Sequence, residues 1–282
     1  MFDINFLVSY VAMPNELIRI GASLLILGIA TYFDLFKDKN IPNKFLYASV
    51  VVSLAIGLIA PIGISGFAVA QALIIAAITY IFYRVGYLGG AEMFILPSLA
   101  LLLPIPPVVT GIFLNVPFIL FIMLFSGFLF ALTNLVYFSY KLAKAKAKVK
   151  TNLEAVAMLA MVILFSLVYF YSPVFNPSIM LLVASLGLMS ALYYSYKEEI
   201  EEMMTQEIKV DDAEEEVASM KKASPEIKEI LKDSPVITGA KIKLLKGKGI
   251  ERISVLKGMP PYMPFLLAGE ALALAYSTLM II

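Results

Sequence analysis

The chain has 282 residues, 61% of them hydrophobic and 15% charged, with a mean hydropathy of +0.89 and a net charge of +1. A soluble domain carries closer to a quarter charged residues, so these figures exclude an ordinary soluble fold, and the near-neutral balance gives no pull towards nucleic acid. With no Cys and no His, thiol nucleophiles, disulfides, Cys/His zinc sites and imidazole bases are excluded as well.

Apolar stretches long enough to cross a bilayer recur along most of the sequence. They predict an all-α polytopic membrane protein of about 6–8 transmembrane helices with a small cytoplasmic segment. Residues 1–13 are apolar without a basic n-region and read as a short interfacial lead-in rather than a cleavable signal. Spans are expected at 17–33, 45–60, 66–85, 93–113, 117–140, 153–171, 178–196 and 261–281. The second is short, and the fourth is interrupted by Pro104, Pro106 and Pro107, expected to form an external kink or turn.

Lys and Arg in short loops set orientation. Lys37, Lys39 and Lys44 follow the first span, Arg84 the third, and Lys141, Lys144, Lys146, Lys148 and Lys150 the fifth, whereas loops 61–65, 104–117 and 172–177 carry no charge. The N-terminus is therefore expected outside, and the lysine-rich loops inside. Residues 1–196 form the expected helical bundle, 197–257 a charged cytoplasmic segment, and 258–282 a final span. The charged segment holds 14 of the 21 acidic and 12 of the 22 basic residues. Its start, 197–217, suits a helix leaving span seven; its end, 240–256, alternates apolar and charged residues as a hairpin would. It reads as a solvated linker or small cap, or as a surface for substrate, partner or anionic lipid.

Two acids stand out. Asp34 closes the first apolar run, and Glu92, in Leu88-Gly89-Gly90-Ala91-Glu92-Met93-Phe94, opens the fourth. Carboxylates at the mouths of membrane segments are costly to place there and so are functional candidates. Both fall on the same expected face, so they can meet although 58 positions separate them. Two carboxylates held close share a proton: one stays protonated while the other is charged. Such a pair can hydrolyse an amide, one member activating water and the other polarising the carbonyl. The competing reading is structural, because an acid at a helix N-terminus also suits the helix dipole. Gly89, Gly90 and Ala91 are candidate substrate-binding residues, the glycines offering backbone freedom and close approach to an extended peptide. Glu270 reads as an acid facing the bundle interior beside a polar partner, or as a third group lining the site. Glu154 and Arg84 read as interfacial anchors.

The stretch from Asp34 to Asn43, an Asp followed by a basic loop with Ile41-Pro42-Asn43, resembles the first signature of type IV prepilin peptidases. Gly89-Gly90-Ala91-Glu92, with its apolar run ending in Leu103-Pro104, resembles the second, a G-x-G-D-type motif. Lys257-Gly258-Met259-Pro260-Pro261-Tyr262-Met263-Pro264-Phe265 resembles the Pro-rich entry to the last helix of archaeal members. The likeness is strongest over 17–104 and weaker over 257–282. It implies a membrane aspartic endopeptidase of the archaeal prepilin/preflagellin type in the cell membrane, with Asp34 and Glu92 as its catalytic pair. It further implies, as partners, archaellin- or pilin-like precursors whose basic leaders are cut at the cytoplasmic face. The acidic run 198–216 is expected to attract such a leader past Lys37, Lys39 and Lys44. No cofactor and no metal are expected, since a chain without Cys cannot carry the four-Cys zinc module of bacterial relatives. Glu92 departs from the family's Asp, and its extra methylene shifts the carboxyl by roughly the 1 Å that can cost about 10²-fold in rate, so weakened or absent activity is expected. A presenilin-like protease cutting inside a membrane helix, a transporter or channel using Asp34, Glu92 and Glu270 as ion or proton ligands, and a non-catalytic scaffold are the alternatives.

Overall fold

The computed structural model describes residues 12–37, 40–110, 116–144, 153–171, 177–214, 216–257 and 260–275. Most of the expected lead-in at 1–13 lies outside these residues, as do Asp38, Lys39, Lys146, Lys148 and Lys150. Among the described residues there are eleven α-helices and one two-stranded sheet. The protein is an all-α membrane protein with almost no sheet.

Seven helices precede the charged segment in the apolar bundle: α1 (Glu16–Phe36), α2 (Asn43–Leu58), α3 (Ile62–Val85), α4 (Glu92–Leu102), α5 (Ile119–Lys144), α6 (Leu153–Phe170) and α7 (Pro177–Ser195). Four apolar helices, at Glu16–Phe36, Ile62–Val85, Phe118–Lys144 and Leu153–Phe170, are long enough to cross a membrane. The expected spans over α1, α3, α5 and α6 thus correspond to helices of spanning length, while α2 is shorter.

The fourth span is corrected. A single crossing over 93–113 does not form: α4 stops at Leu102 after 11 residues, about 16 Å at 1.5 Å per residue, roughly half the apolar core of a bilayer. Pro104 has no N–H to return to the Ala100 carbonyl, and further prolines at 106 and 107 keep the chain irregular. From Ile95 through Pro107 every residue is buried. Non-helical backbone survives at such depth only when protein surrounds it and satisfies its polar groups.

Two polar side chains meet that need. Gln71 of α3 donates through Nε2 to the carbonyls of Ala100 and Pro104, both at 3.0 Å. Arg19 of α1, completely buried, donates to Leu102 O at 3.1 Å and Leu101 O at 3.4 Å. Its other nitrogens reach Ile56 O (2.8 Å), Ile59 O (3.1 Å) and Gly57 O (3.4 Å) at the end of α2, and Pro14 O (2.9 Å). One guanidinium therefore closes the C-terminal ends of two helices, where a cation also suits the dipole.

The charged segment folds around its own cluster of Val210, Ala213, Ala218, Ile227, Leu231, Ile237, Leu245, Ile253 and Val255. It comprises α8 (Lys197–Met204), β1 (Thr205–Lys209), α9 (Pro225–Ile230), α10 (Gly239–Gly247) and β2 (Arg252–Leu256). β1 pairs antiparallel with β2, Thr205 opposite Leu256 and Lys209 opposite Arg252. Two expectations fail here. The acidic helix ends at Met204 and the chain turns into a strand instead of continuing to 217. Residues 240–256 do not make a hairpin: 239–247 is helical because Ile242 and Leu245 recur at helical spacing and pack inward, and only 252–256 is a strand. Lys241 also turns inward, its Nζ donating to Ser234 O (2.7 Å) and Val236 O (3.1 Å), and burial pushes its ammonium below its ordinary pKa. α11 (Met263–Leu274) then returns to the bundle.

Candidate functional site

Asp34 lies in the last turn of α1 and is only 8% exposed. A carboxylate there faces the negative end of its own helix, which disfavours it. What offsets this is the start of another helix: Asp34 Oδ2 accepts the N–H of Met263 at 2.9 Å. Met263 opens α11, so its N–H belongs to the first turn and has no partner inside that helix. Asp34 is thereby turned from the end of one helix to the beginning of the next.

Tyr262, one residue earlier, is held by α5. Its hydroxyl lies 3.2 Å from Ser126 Oγ, and its ring meets Phe130 edge-on at 5.3 Å. α5 and α11 touch closely enough that a side chain at Gly269 would stand 2.6 Å from the Ser126 backbone nitrogen. Small residues permit this kind of backbone approach between membrane helices.

Glu92 is the first residue of α4, where the helix dipole favours a negative charge. Asp34 and Glu92 thus stand at the last turn of α1 and the first residue of α4, two helices that pack against each other. The Glu92 carboxylate folds back over the preceding loop, with Oε2 2.5 Å from the point a Gly89 Cβ would occupy. A side chain at 89 would require the Glu92 carboxylate to swing away.

Neither Gly89 nor Gly90 has a positive φ; Gly86, at φ +83°, does. The unusual backbone comes at the end of α3, and Gly89 contributes space. Ala91 caps α4 with its carbonyl, accepting from Phe94 (3.1 Å) and Ile95 (3.0 Å), and packs against the core.

Glu270 is fully buried and accepts a hydrogen bond from the Ser23 hydroxyl. It is an interior acid paired with a polar neighbour, tying α1 to α11 about 10 Å along the helix from Met263, and it is not brought to the Asp34 position. Glu154 is exposed at the start of α6, and Arg84 is exposed near the end of α3. Among the described residues there is no group of three or more Asp or Glu side chains placed to hold a metal ion.

Sequence reasoning passed over Tyr262, Ser126, Arg19 and Gln71. Tyr262 carried a signal, because it lies within the Pro-rich stretch before α11. Arg19 and Gln71 carried only their rarity inside apolar runs. No family model, curated protein or solved structure matches this chain.

Proposed function

We propose that the protein is a membrane aspartic endopeptidase that removes basic leader peptides from prepilin- or archaellin-like precursors. The observation that carries this reading is the buried Asp34 carboxylate, held on the Met263 N–H at the start of α11, on a helix that packs against the one Glu92 opens. The likeness of the sequences around Asp34, Glu92 and Pro260–Phe265 to prepilin-peptidase signatures supports it independently.

The chemistry needs only these groups. The ionised member of the pair takes a proton from water as the oxygen attacks the scissile carbonyl, and the protonated member stabilises the oxygen that gains charge. The tetrahedral intermediate collapses, the C–N bond breaks, and the leaving nitrogen takes the proton from the acid. Lys37 and Lys44 flank the Asp34 end of α1, and Lys141 and Lys144 close α5. By the positive-inside bias these lysines support a site facing the cytoplasm. The same end meets the basic leader of a precursor just before its hydrophobic helix enters the bilayer.

Glu92 tempers the activity. Its extra methylene lets the carboxylate lean over Gly89, and an Asp would draw it back towards α4. Purified protein in liposomes, given an archaellin-type precursor, should cleave weakly. Glu92→Asp should cleave about 10²-fold faster, and Asp34→Asn should be inactive. An intact precursor with all three chains, across several leaders and pH values, would sink the proposal.

A further inference from the structure

The loop that carries Glu92 is gripped from outside the apolar bundle. α3 ends at Gly86 in the left-handed conformation, φ +83°. Tyr87 N–H bonds Phe82 O and Gly86 N–H bonds Tyr83 O, each at 2.9 Å, the paired bonds of a Schellman cap. Gly86 is buried although its neighbours Val85 and Tyr87 are exposed. It is the charged segment that covers it. A Cβ at Gly86 would stand 3.1 Å from Val217 and 3.1 Å from Pro235, and the Ser234 hydroxyl donates to Arg84 O at 2.7 Å. The covering surface is itself braced. Val217 bridges to Val236, and Ala218 N–H bonds Pro235 O at 2.9 Å.

These contacts reach the chain at residues 84–86, six to eight positions before Glu92. The loop between α3 and α4 has no ladder of its own, and segments of that kind open at low free energy unless something packs on them.

We propose that the charged segment is a clamp that fixes the Glu92 loop, with Gly86 as its seat and Val217, Ser234 and Pro235 as positioning residues. This inference rests on the paired-acid reading for its consequence, because the clamp matters to rate only if Glu92 acts on substrate. The clamp itself is a matter of structure. A carboxylate displaced by about 1 Å can lose about 10²-fold in rate, so a loose clamp lowers kcat more than it raises KM.

The chain has no Cys, so Leu88→Cys supplies a single thiol on the loop whose rate of labelling by a maleimide in liposomes reports loop opening. Gly86→Ala and Ser234→Ala, each combined with Leu88→Cys, should label about fivefold faster than Leu88→Cys alone. Lys246→Ala, which removes an exposed ion pair with Asp211 on the same segment, should not. In a Glu92→Asp background lacking the added thiol, Gly86→Ala and Ser234→Ala should lower kcat about tenfold with KM within about twofold. Unchanged labelling would overturn the clamp. Faster labelling with unchanged kcat in a chain that does cleave would overturn its positioning role. If no chain cleaves at all, the peptidase reading fails instead, and the labelling rates still decide whether the clamp exists.

Discussion

α4 and α6 are both strongly apolar helices, and a hydropathy profile treats them alike. Their surroundings are opposite. From Ile95 to Leu102 every residue of α4 is buried, Pro and Ser included. In α6, 18 residues long, Ala155 alone is buried, and Leu153, Ile163, Leu164 and Val168 are each at least 60% exposed within the chain. Apolarity states only that a helix avoids water. Whether protein or lipid replaces the water is decided by what the helix ends require. α6 satisfies its backbone internally and can stand in lipid; α4 stops at half depth and must be surrounded by groups able to bond its last carbonyls.

Substitutions that strip the polar closures of α4 should be far more damaging than equally large changes on α6. Arg19→Ala should have the largest effect. It orphans carbonyls at the ends of α2 and α4, costs about 3–5 kcal/mol, and should show as lost accumulation or a sharply lowered midpoint of denaturation in detergent. Arg19→Lys should recover only part of this, since an ammonium cannot span both helix ends with a fixed fork of donors. Next comes Gly269→Leu, which drives a side chain into the Ser126 backbone and should cost about 3 kcal/mol, read in the same denaturation midpoint. Gln71→Leu keeps the volume but leaves the Ala100 and Pro104 carbonyls without their donor, a loss of about 1–2 kcal/mol. Leu164→Ala on α6 should stay within about 0.5 kcal/mol. A result for Leu164→Ala as large as that for Gln71→Leu would mean that α6 packs against protein in the assembled state, and the contrast would have to be redrawn.

The contrast also explains what the sequence disclosed. Asp34 and Glu92 were visible because an acid beside a long apolar run has few inexpensive explanations, and α1, α3, α5 and α6 because periodicity is unnecessary where every face is apolar. The shortness of α4 was foreshadowed by Pro104, Pro106 and Pro107, but a count of apolar residues ran past them. Arg19 was not legible as an interior residue, since a charged side chain near a span end ordinarily reaches out to the interface. Its burial depends on two other helix ends arriving beside it, which is tertiary information. The same holds for α10: Lys246-Gly247-Lys248-Gly249 looks like a hairpin turn, but Gly249, at φ +73°, comes just after a helix and prepares the entry to β2. Positive φ falls at Gly86 and not at Gly89 or Gly90, because the residue that needs it is fixed by where α3 ends and not by the glycine pair.

The bond from Met263 to Asp34 spans 229 positions of chain, and the contact from Ser23 to Glu270 spans 247. Synthesis runs in the other direction from assembly: α1 leaves the ribosome before Met263 and Glu270 have been made. At about 5–20 residues per second, Asp34 waits roughly ten to forty-five seconds before α11 exists to receive it. During that interval the first helix is held in the membrane by its apolar residues alone, and the Asp34 carboxylate is without the Met263 N–H. Arrest anywhere before residue 263 leaves a chain in which that bond never forms.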